Sequence, residues 1–245
     1  MEAMIDLFLG LERMSPGSQE TTAGAFQIAA QDRDIRKVVE FGCGSGISTI
    51  ALARLSGASV IAVDNSAPFL SQLKQKVERT GLQQQIKVQE QSMDAAWPEE
   101  TQFDLIWSEG SAYAIGLENA LKRWRALLPP GGRIVLSDLI WIDPQPDAEV
   151  QDFWKNQGET LRYRDDTRKL FVSQGYQVID DFVFSDQDWR NYYQPLKTHL
   201  PRWKSMYSDA ETAGIVDQMF QEEMRMYDQF GSQYGYAFFI AERAG

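Results

Sequence analysis

The stretch "VVEFGCGSGIST", residues 38–49, places an acid, Glu40, two positions ahead of three alternating glycines, Gly42, Gly44 and Gly46. Glycines at a strand-to-helix turn let the backbone adopt left-handed conformations and approach a ligand with no side chain intervening. Such a turn can hold a triphosphate, a dinucleotide, or something with no phosphate at all. A triphosphate loop requires GxxxxGK[ST], and no Lys or Arg occurs between Val38 and Ala53. A dinucleotide turn requires GxGxxG, and the position of its third glycine is Ile47 in this chain. Glu40 would also repel a pyrophosphate, whereas a carboxylate there favours a ligand that presents an ammonium group. Asp64, about twenty residues beyond the loop at the end of "VIAVD", can accept both hydroxyls of a ribose, although dinucleotide folds place an acid there too.

These residues need a sheet to hold them. From Lys37 onward, β-branched runs alternate with segments of helical period: "KVVEFG", "SVIAVD", "QIKVQE", "FDLIWS" and "RIVLSDLIW" read as five strands. Between them "ISTIALARLSG", "PFLSQLKQKVERTG" and "GLENALKRWRALL" read as helices, closed by Gly57, Gly81 and "PPGG". Strand and helix in alternation with short loops predict a parallel sheet covered on both faces. "DDTRKLFVSQGY" is a further helix leading to a strand "QVIDDFVFS", and "GYAFFIAER" is the last strand. Residues 186–234 between these two strands are rich in Trp, Tyr, Met and Phe and read as two or three helices. In that insertion Val216, Met219, Phe220, Met224, Tyr227 and Phe230 fall on one helical stripe, which either packs on its neighbours or caps a pocket. At the N-terminus, Ser18 is placed to cap a helix after the Pro16-Gly17 turn.

The bulk composition narrows the function classes. The 245 residues suit one large domain, and 43% hydrophobic with 24% charged residues describes a globular chain. No apolar run approaches the length of a membrane span, and the first residues, "MEAMIDLFLGLERM", have neither a basic leader nor a small-residue cleavage site, so a cytoplasmic protein is expected with no membrane partner. With 24 Lys plus Arg against 35 Asp plus Glu, the net charge of −11 argues against nucleic acid as partner. The single cysteine, Cys43, excludes an internal disulfide and multi-cysteine metal sites, and no metal is expected. The one histidine, His199 in "LKTHLPRW", lies in the insertion and reads as a surface or packing residue.

Residue for residue, "EFGCGSG" resembles the first motif of class I S-adenosylmethionine-dependent methyltransferases, E/D-x-G-x-G-x-G. "LLPPGGRIVLSDLIW" is similar to that family's Pro/Gly turn before the fifth strand, and "YGYAFFIAER" to its terminal antiparallel strand. "LERMSPGS", "LIWSEGSAYAIG", "DFW" and "GYAFFI" further resemble a bacterial subgroup of small-molecule methyltransferases of the ubiquinone/menaquinone-biosynthesis type. The resemblance implies an α/β, doubly wound, Rossmann-like fold. Its seven-stranded, mostly parallel sheet ends in an antiparallel strand. It also implies S-adenosylmethionine as cofactor, S-adenosylhomocysteine as product, and a small-molecule methyl acceptor as partner. One methyltransferase domain would comprise an N-terminal helical lid (1–36), a cofactor core (37–185), a helical cap (186–233) and the terminal strand (234–245).

By the same resemblance the cofactor set is Glu40, Gly42, Cys43, Gly44, Gly46, Asp64, Asn65, Met93, Asp94 and Ser108, with Asp94 and the Met93 amide directed to the adenine. In "WSEGSAY" and "LIWID", Glu109 would be an acceptor-side acid/base or polar anchor, Tyr113 would line the transfer site and Trp141 would wall it. Three other readings stay open: an NAD-dependent oxidoreductase on the same fold, an aminopropyl transferase, for which "WSEGSAY" shows no convincing pair of aspartates, and a non-catalytic S-adenosylmethionine-binding protein. The atom methylated and the oligomeric state are not determined by the sequence.

Overall fold

A computed structural model describes residues 2–245. Two helices, α1 (Glu2–Leu9) and α2 (Gln19–Ala30), precede β1 (Lys37–Phe41). The chain then alternates through α3 (Ile47–Ser56), β2 (Ser59–Asp64), α4 (Ala67–Thr80), β3 (Ile86–Glu90) and β4 (Leu105–Ser108). A 3-10 turn (Ala112–Ile115), α5 (Leu117–Trp124) and a second 3-10 turn (Arg125–Leu127) lead to β5 (Arg133–Trp141). After α6 (Ala148–Asn156), the short β6 (Arg162–Tyr163), α7 (Arg164–Ser173) and β7 (Tyr176–Val183), two long helices follow, α8 (Asp186–Met206) and α9 (Ala210–Phe230), before β8 (Tyr234–Arg243).

The sheet runs β3-β2-β1-β4-β5-β8-β7, with β6 paired to the end of β5. All pairs are parallel except β8, which runs antiparallel between β5 and β7. This is the expected doubly wound sheet with its terminal antiparallel strand, enlarged by the two-residue β6. Strand alternation sends neighbouring side chains to opposite faces. Val38, Val60 and Leu105 join one buried layer with α2, α3 and α4, while Val39, Phe41 and Ile106 join the other with α5 and α7. Both faces are therefore apolar, which is why β1 and β4 read as nearly continuous hydrophobic runs.

A third buried cluster lies over the carboxyl end of β5. It unites Ala3, Leu7 and Leu11 of the N-terminal segment with Trp189, Tyr192, Leu196 and Trp203 of α8 and Val216, Phe220 and Met224 of α9. The apolar stripe of α9 is buried at Val216, Phe220, Met224 and Phe230 and partly buried at Met219 and Tyr227. The insertion holds two helices, and α8 continues through Pro195 and Pro201. Each proline removes one rung of the hydrogen-bond ladder. The buried Tyr192, Leu196, Leu200 and Trp203 flank those positions, so packing holds the helix where propensity would break it.

The start of α8 carries a full capping box: Ser185 accepts from the Asp188 amide, and Asp188 accepts from the Ser185 amide at 2.7 Å and hydroxyl at 2.7 Å. Ser185→Ala should lower the unfolding free energy by about 1 kcal/mol in urea denaturation.

Candidate functional site

Strand order reverses direction beside β1, so the loops leaving β1 and β4 diverge and open a crevice at the carboxyl edge of the sheet. The glycine loop crosses this crevice. Gly42, Gly44 and Gly46 have φ of 71°, 51° and 82°, a left-handed region that costs other residues about 1–2 kcal/mol each. Space as well as torsion demands glycine at 46, where a Cβ would stand 2.1 Å from Leu73 Cδ1 beneath the start of α3. The loop is fastened to β2: the amides of Gly42 and Cys43 donate to the Val63 carbonyl at 2.8 and 3.0 Å, and the Gly44 amide donates to Asp64 Oδ2 at 2.8 Å. Asp64 Oδ1 accepts from the Ser66 amide at 2.8 Å, and each carboxylate oxygen keeps a second acceptor position.

Above the loop is a cavity of about 320 Å³. Of the residues expected from sequence, Gly42, Cys43, Gly44, Gly46, Asp64, Asn65, Met93, Glu109 and Tyr113 all line it. Glu40 does not. Its carboxylate is buried under the loop and accepts from Ser48 Oγ and Thr49 Oγ1 on the first turn of α3, and Ser48 in turn lines the cavity. Burial pushes the Glu40 carboxyl up to about 8, against the two hydroxyl bonds that lower it. Ser108 is fully buried and bonds Ser111 Oγ at 2.8 Å, and Ser111 reaches the cavity. Asp94 lies on the exposed turn after β3, bonded to Ser92 Oγ at 2.5 Å, and is not among the lining residues.

The roof is N-terminal. Ile5, Phe8, Arg13, Met14 and Ser15 line the cavity from the α1–α2 connection. Arg13 lies 3.5 Å from Glu109, whose carboxylate also accepts from Thr22 Oγ1 at 3.1 Å and Trp107 Nε1 at 3.4 Å. Burial raises the Glu109 carboxyl, and Arg13 opposes the rise. Glu109 therefore ties α2 and the segment before it to the end of β4.

A second cavity of about 490 Å³ adjoins the first, and the two share Phe8, Met14, Ser15 and Tyr113. Its walls come from β5 (Asp138, Leu139), the α6–β6 region (Trp154, Glu159, Arg162), α8 (Trp189, Tyr192), α9 (Met219, Phe220, Glu223) and β8 (Tyr236). Trp141 lines neither cavity; it stands opposite Tyr234 in the β5–β8 pair and packs on that ring, with centres 6.4 Å apart. Trp154 and Trp189 take the wall instead. His199 is also remote from both, packed on Gly10, where a Cβ would lie 2.2 Å from its Nε2.

Residues 38–132 match the family model for a methyltransferase domain. The match runs from β1 to the turn before β5 and identifies a methyltransferase domain there. An uncharacterized protein of Haemophilus influenzae is 25% identical over 179 residues, covering 71% of each chain. A ribosomal protein L11 methyltransferase of Vibrio cholerae is 30% identical over 141 residues, 57% of this chain and 45% of that protein, so the chain spans less than half the length of that relative. Among solved structures, an S-adenosylmethionine-dependent methyltransferase from Geobacter sulfurreducens in complex with S-adenosylhomocysteine shares the fold with a TM-score of 0.84 at 18% identity, covering 98% of this chain and 97% of that one. No helix among the described residues is long and apolar enough to cross a membrane.

Sequence reasoning did not single out Arg13, Met14, Ser15, Ser48, Asp138, Glu159 or Glu223. A signal existed for two of them. Asp138 is a lone acid inside the apolar run "VLSDLIW", and Glu223 interrupts the apolar stripe of α9 between Phe220 and Met224.

Between pH 4.5 and about 8 the folded chain keeps a proton on Glu40 that the unfolded chain has released. Its contribution to stability therefore declines as pH rises through that window. Thermal unfolding followed from pH 5 to 8 should show a shallower loss of Tm for Glu40→Gln than for the parent protein.

Proposed function

We propose that the chain transfers the methyl group of S-adenosylmethionine to a small-molecule acceptor held in the second cavity. The observation that carries this reading is the sharing of Phe8, Met14, Ser15 and Tyr113 by the two cavities, which brings a cofactor chamber and a space of about 490 Å³ into contact. When bound, the cofactor supplies a methyl carbon on a sulfonium, open to in-line attack from the side opposite sulfur. The residues above the glycine loop suit it. Glycines with no Cβ let backbone amides approach, Asp64 offers free acceptor positions to ribose hydroxyls, and Ser48, backed by Glu40, offers a hydroxyl to the amino-acid end. Met93 and the apolar Phe69 are placed for the adenine.

Tyr113, half-exposed and common to both cavities, lines the point of transfer. Glu109 serves as a polar anchor: its carboxylate is already engaged by Arg13, Thr22 and Trp107, which leaves it to hold the roof rather than to exchange protons. The N-terminal helices act as a lid and α8 with α9 as a cap. Catalysis then comes mainly from positioning and from exclusion of water, since well-oriented reactants can save about 7–11 kcal/mol. The unfilled second cavity favours this over a non-catalytic cofactor-binding role, which would need protein side chains above the methyl group. The placement of Ile47 at the start of α3 and the buried acid beneath it disfavour a dinucleotide. The resemblance to ubiquinone/menaquinone-type small-molecule methyltransferases supports an acceptor of modest size.

Calorimetric titration should show saturable binding of S-adenosylhomocysteine and none of NAD, with Asp64→Asn weakening the former by about tenfold or more; saturable binding of NAD alone would overturn the reading. Deletion of residues 1–17 should weaken S-adenosylhomocysteine binding by a similar factor, and an unaltered affinity would refute the lid.

A further inference from the structure

The second cavity gathers three carboxylates from three separate elements: Asp138 on β5, Glu159 after α6 and Glu223 on α9. None of the three forms an ion pair among the described residues. Glu223 accepts one hydrogen bond, from Tyr193 Oη at 3.0 Å, and Asp138 feels Arg162 at a distance without bonding it. Arg162 is the one cationic side chain in the lining, so the fully ionised cavity carries three negative charges against one positive. Burial pushes Asp138 up to about 6 and Glu223 up to about 7, and raises Glu159. Leaving carboxylates desolvated and unpaired is costly, and a fold tolerates it where a cation is to be received.

A second observation points the same way. Tyr192 is only 5% exposed and lines the cavity. Its hydroxyl has no hydrogen-bond partner, and the groups that act on it are Glu223, Tyr236 and Tyr113, all lining residues. The Tyr236 hydroxyl is likewise unpartnered and feels Tyr113, Asp138, Glu223 and Glu159 together. The polar groups thus converge on one space. Around it stand aromatic rings, with Trp189 5.8 Å from Tyr236 between ring centres, and Trp154 on the adjoining wall with a buried, unbonded indole N–H. Ring faces attract a cation by about 0.5–2 kcal/mol each without acting as nucleophiles. A carboxylate or phenolate acceptor would meet the opposite of what it needs here.

We propose that the acceptor is a small amine with an apolar or aromatic body, its ammonium held by Asp138, Glu159 and Glu223 and its body by Trp154, Trp189 and Tyr192. This inference rests on the methyltransferase reading and names the substrate class of that site. The ammonium gives one proton to the carboxylate cluster. The freed lone pair on nitrogen then forms the bond to the methyl carbon as the carbon–sulfur bond breaks, its electron pair staying on sulfur. The products are an N-methylammonium and S-adenosylhomocysteine, and the cluster returns its proton to solvent.

The test uses the full chain saturated with S-adenosylhomocysteine and titrates phenethylamine, tryptamine, phenethyl alcohol and 3-phenylpropionate by calorimetry. The amines should bind saturably and the alcohol and acid should not. Glu223→Gln and Asp138→Asn, separately, should each weaken amine binding by about tenfold or more, while S-adenosylhomocysteine affinity, measured on the same samples, stays within about twofold and reports that the fold is intact. With S-adenosylmethionine in place of the product, the bound amine should gain one methyl group by mass spectrometry. Absence of saturable amine binding, or preference for the acid or alcohol, overturns the inference while intact S-adenosylhomocysteine binding leaves the methyltransferase reading standing. Loss of S-adenosylhomocysteine binding by the parent protein would instead remove both.

Discussion

The left-handed glycine loop over the end of β1 is the constraint on which the rest of the site depends. Its three positive-φ residues let the chain turn back within five positions from a buried strand to a buried helix, and the Asp64 carboxylate and Val63 carbonyl hold the turn from the neighbouring strand. Because β2 fixes the loop, the same contact that shapes the cavity floor also sets Asp64 beside it. Leu73 leaves no room for a side chain at Gly46, and the Met14 methyl reaches over Gly44, so the loop lies between α4 and the N-terminal segment. Cofactor chemistry at this position is thus a property of sheet geometry, and the loop sequence is the part of that geometry that can be read directly.

Much of the fold was legible because its cues are local. Alternating apolar runs gave the seven principal strands, glycine stops closed α3 and α4, and the spacing from Gly42 to Asp64 located the crevice. What escaped was whatever depends on contacts between distant segments. Residues Arg162–Tyr163 become a strand only because the end of β5 offers them a free edge, and α8 survives two prolines only because its buried aromatic face is held by α1 and α9. Trp141 illustrates a subtler limit. Its place after the fifth strand suggested the pocket, but the cavity takes Asp138 and Leu139 from β5 and Tyr236 from β8, while Trp141 is spent on its cross-strand partner Tyr234. The second cavity draws on segments spread from Met4 to Tyr236, so no single stretch could have announced it.

The electrostatics of the interior have a common pattern. Glu40, Glu109, Asp138 and Glu223 are all raised, each chiefly by burial, in a chain whose surface already carries excess negative charge. These acids lie within or just beneath the two adjoining cavities. Elsewhere the buried acids are fully bonded: Asp181 is gripped by Arg164 and Arg168, and Asp188 by Ser185 and Thr21. The contrast separates carboxylates bonded into the architecture, Glu40 and Glu109 among them, from Asp138 and Glu223, which leave part of their bonding capacity unused. Desolvated acceptors left without a full set of partners are the energetically costly groups of this interior.

The Asp188 network has a mechanical corollary. Thr21 Oγ1 donates to Asp188 Oδ1 at 2.6 Å, the Gly17 amide donates to the Asp188 carbonyl at 3.1 Å, and Asn191 Nδ2 donates to the Gly17 carbonyl at 3.1 Å. These bonds stitch the segment roofing the first chamber to the helix walling the second. Any swing of that segment large enough to admit a ligand must unzip the seam and disturb both chambers at once. The two chambers are mechanically joined, since a single set of contacts, kept or broken, bears on both.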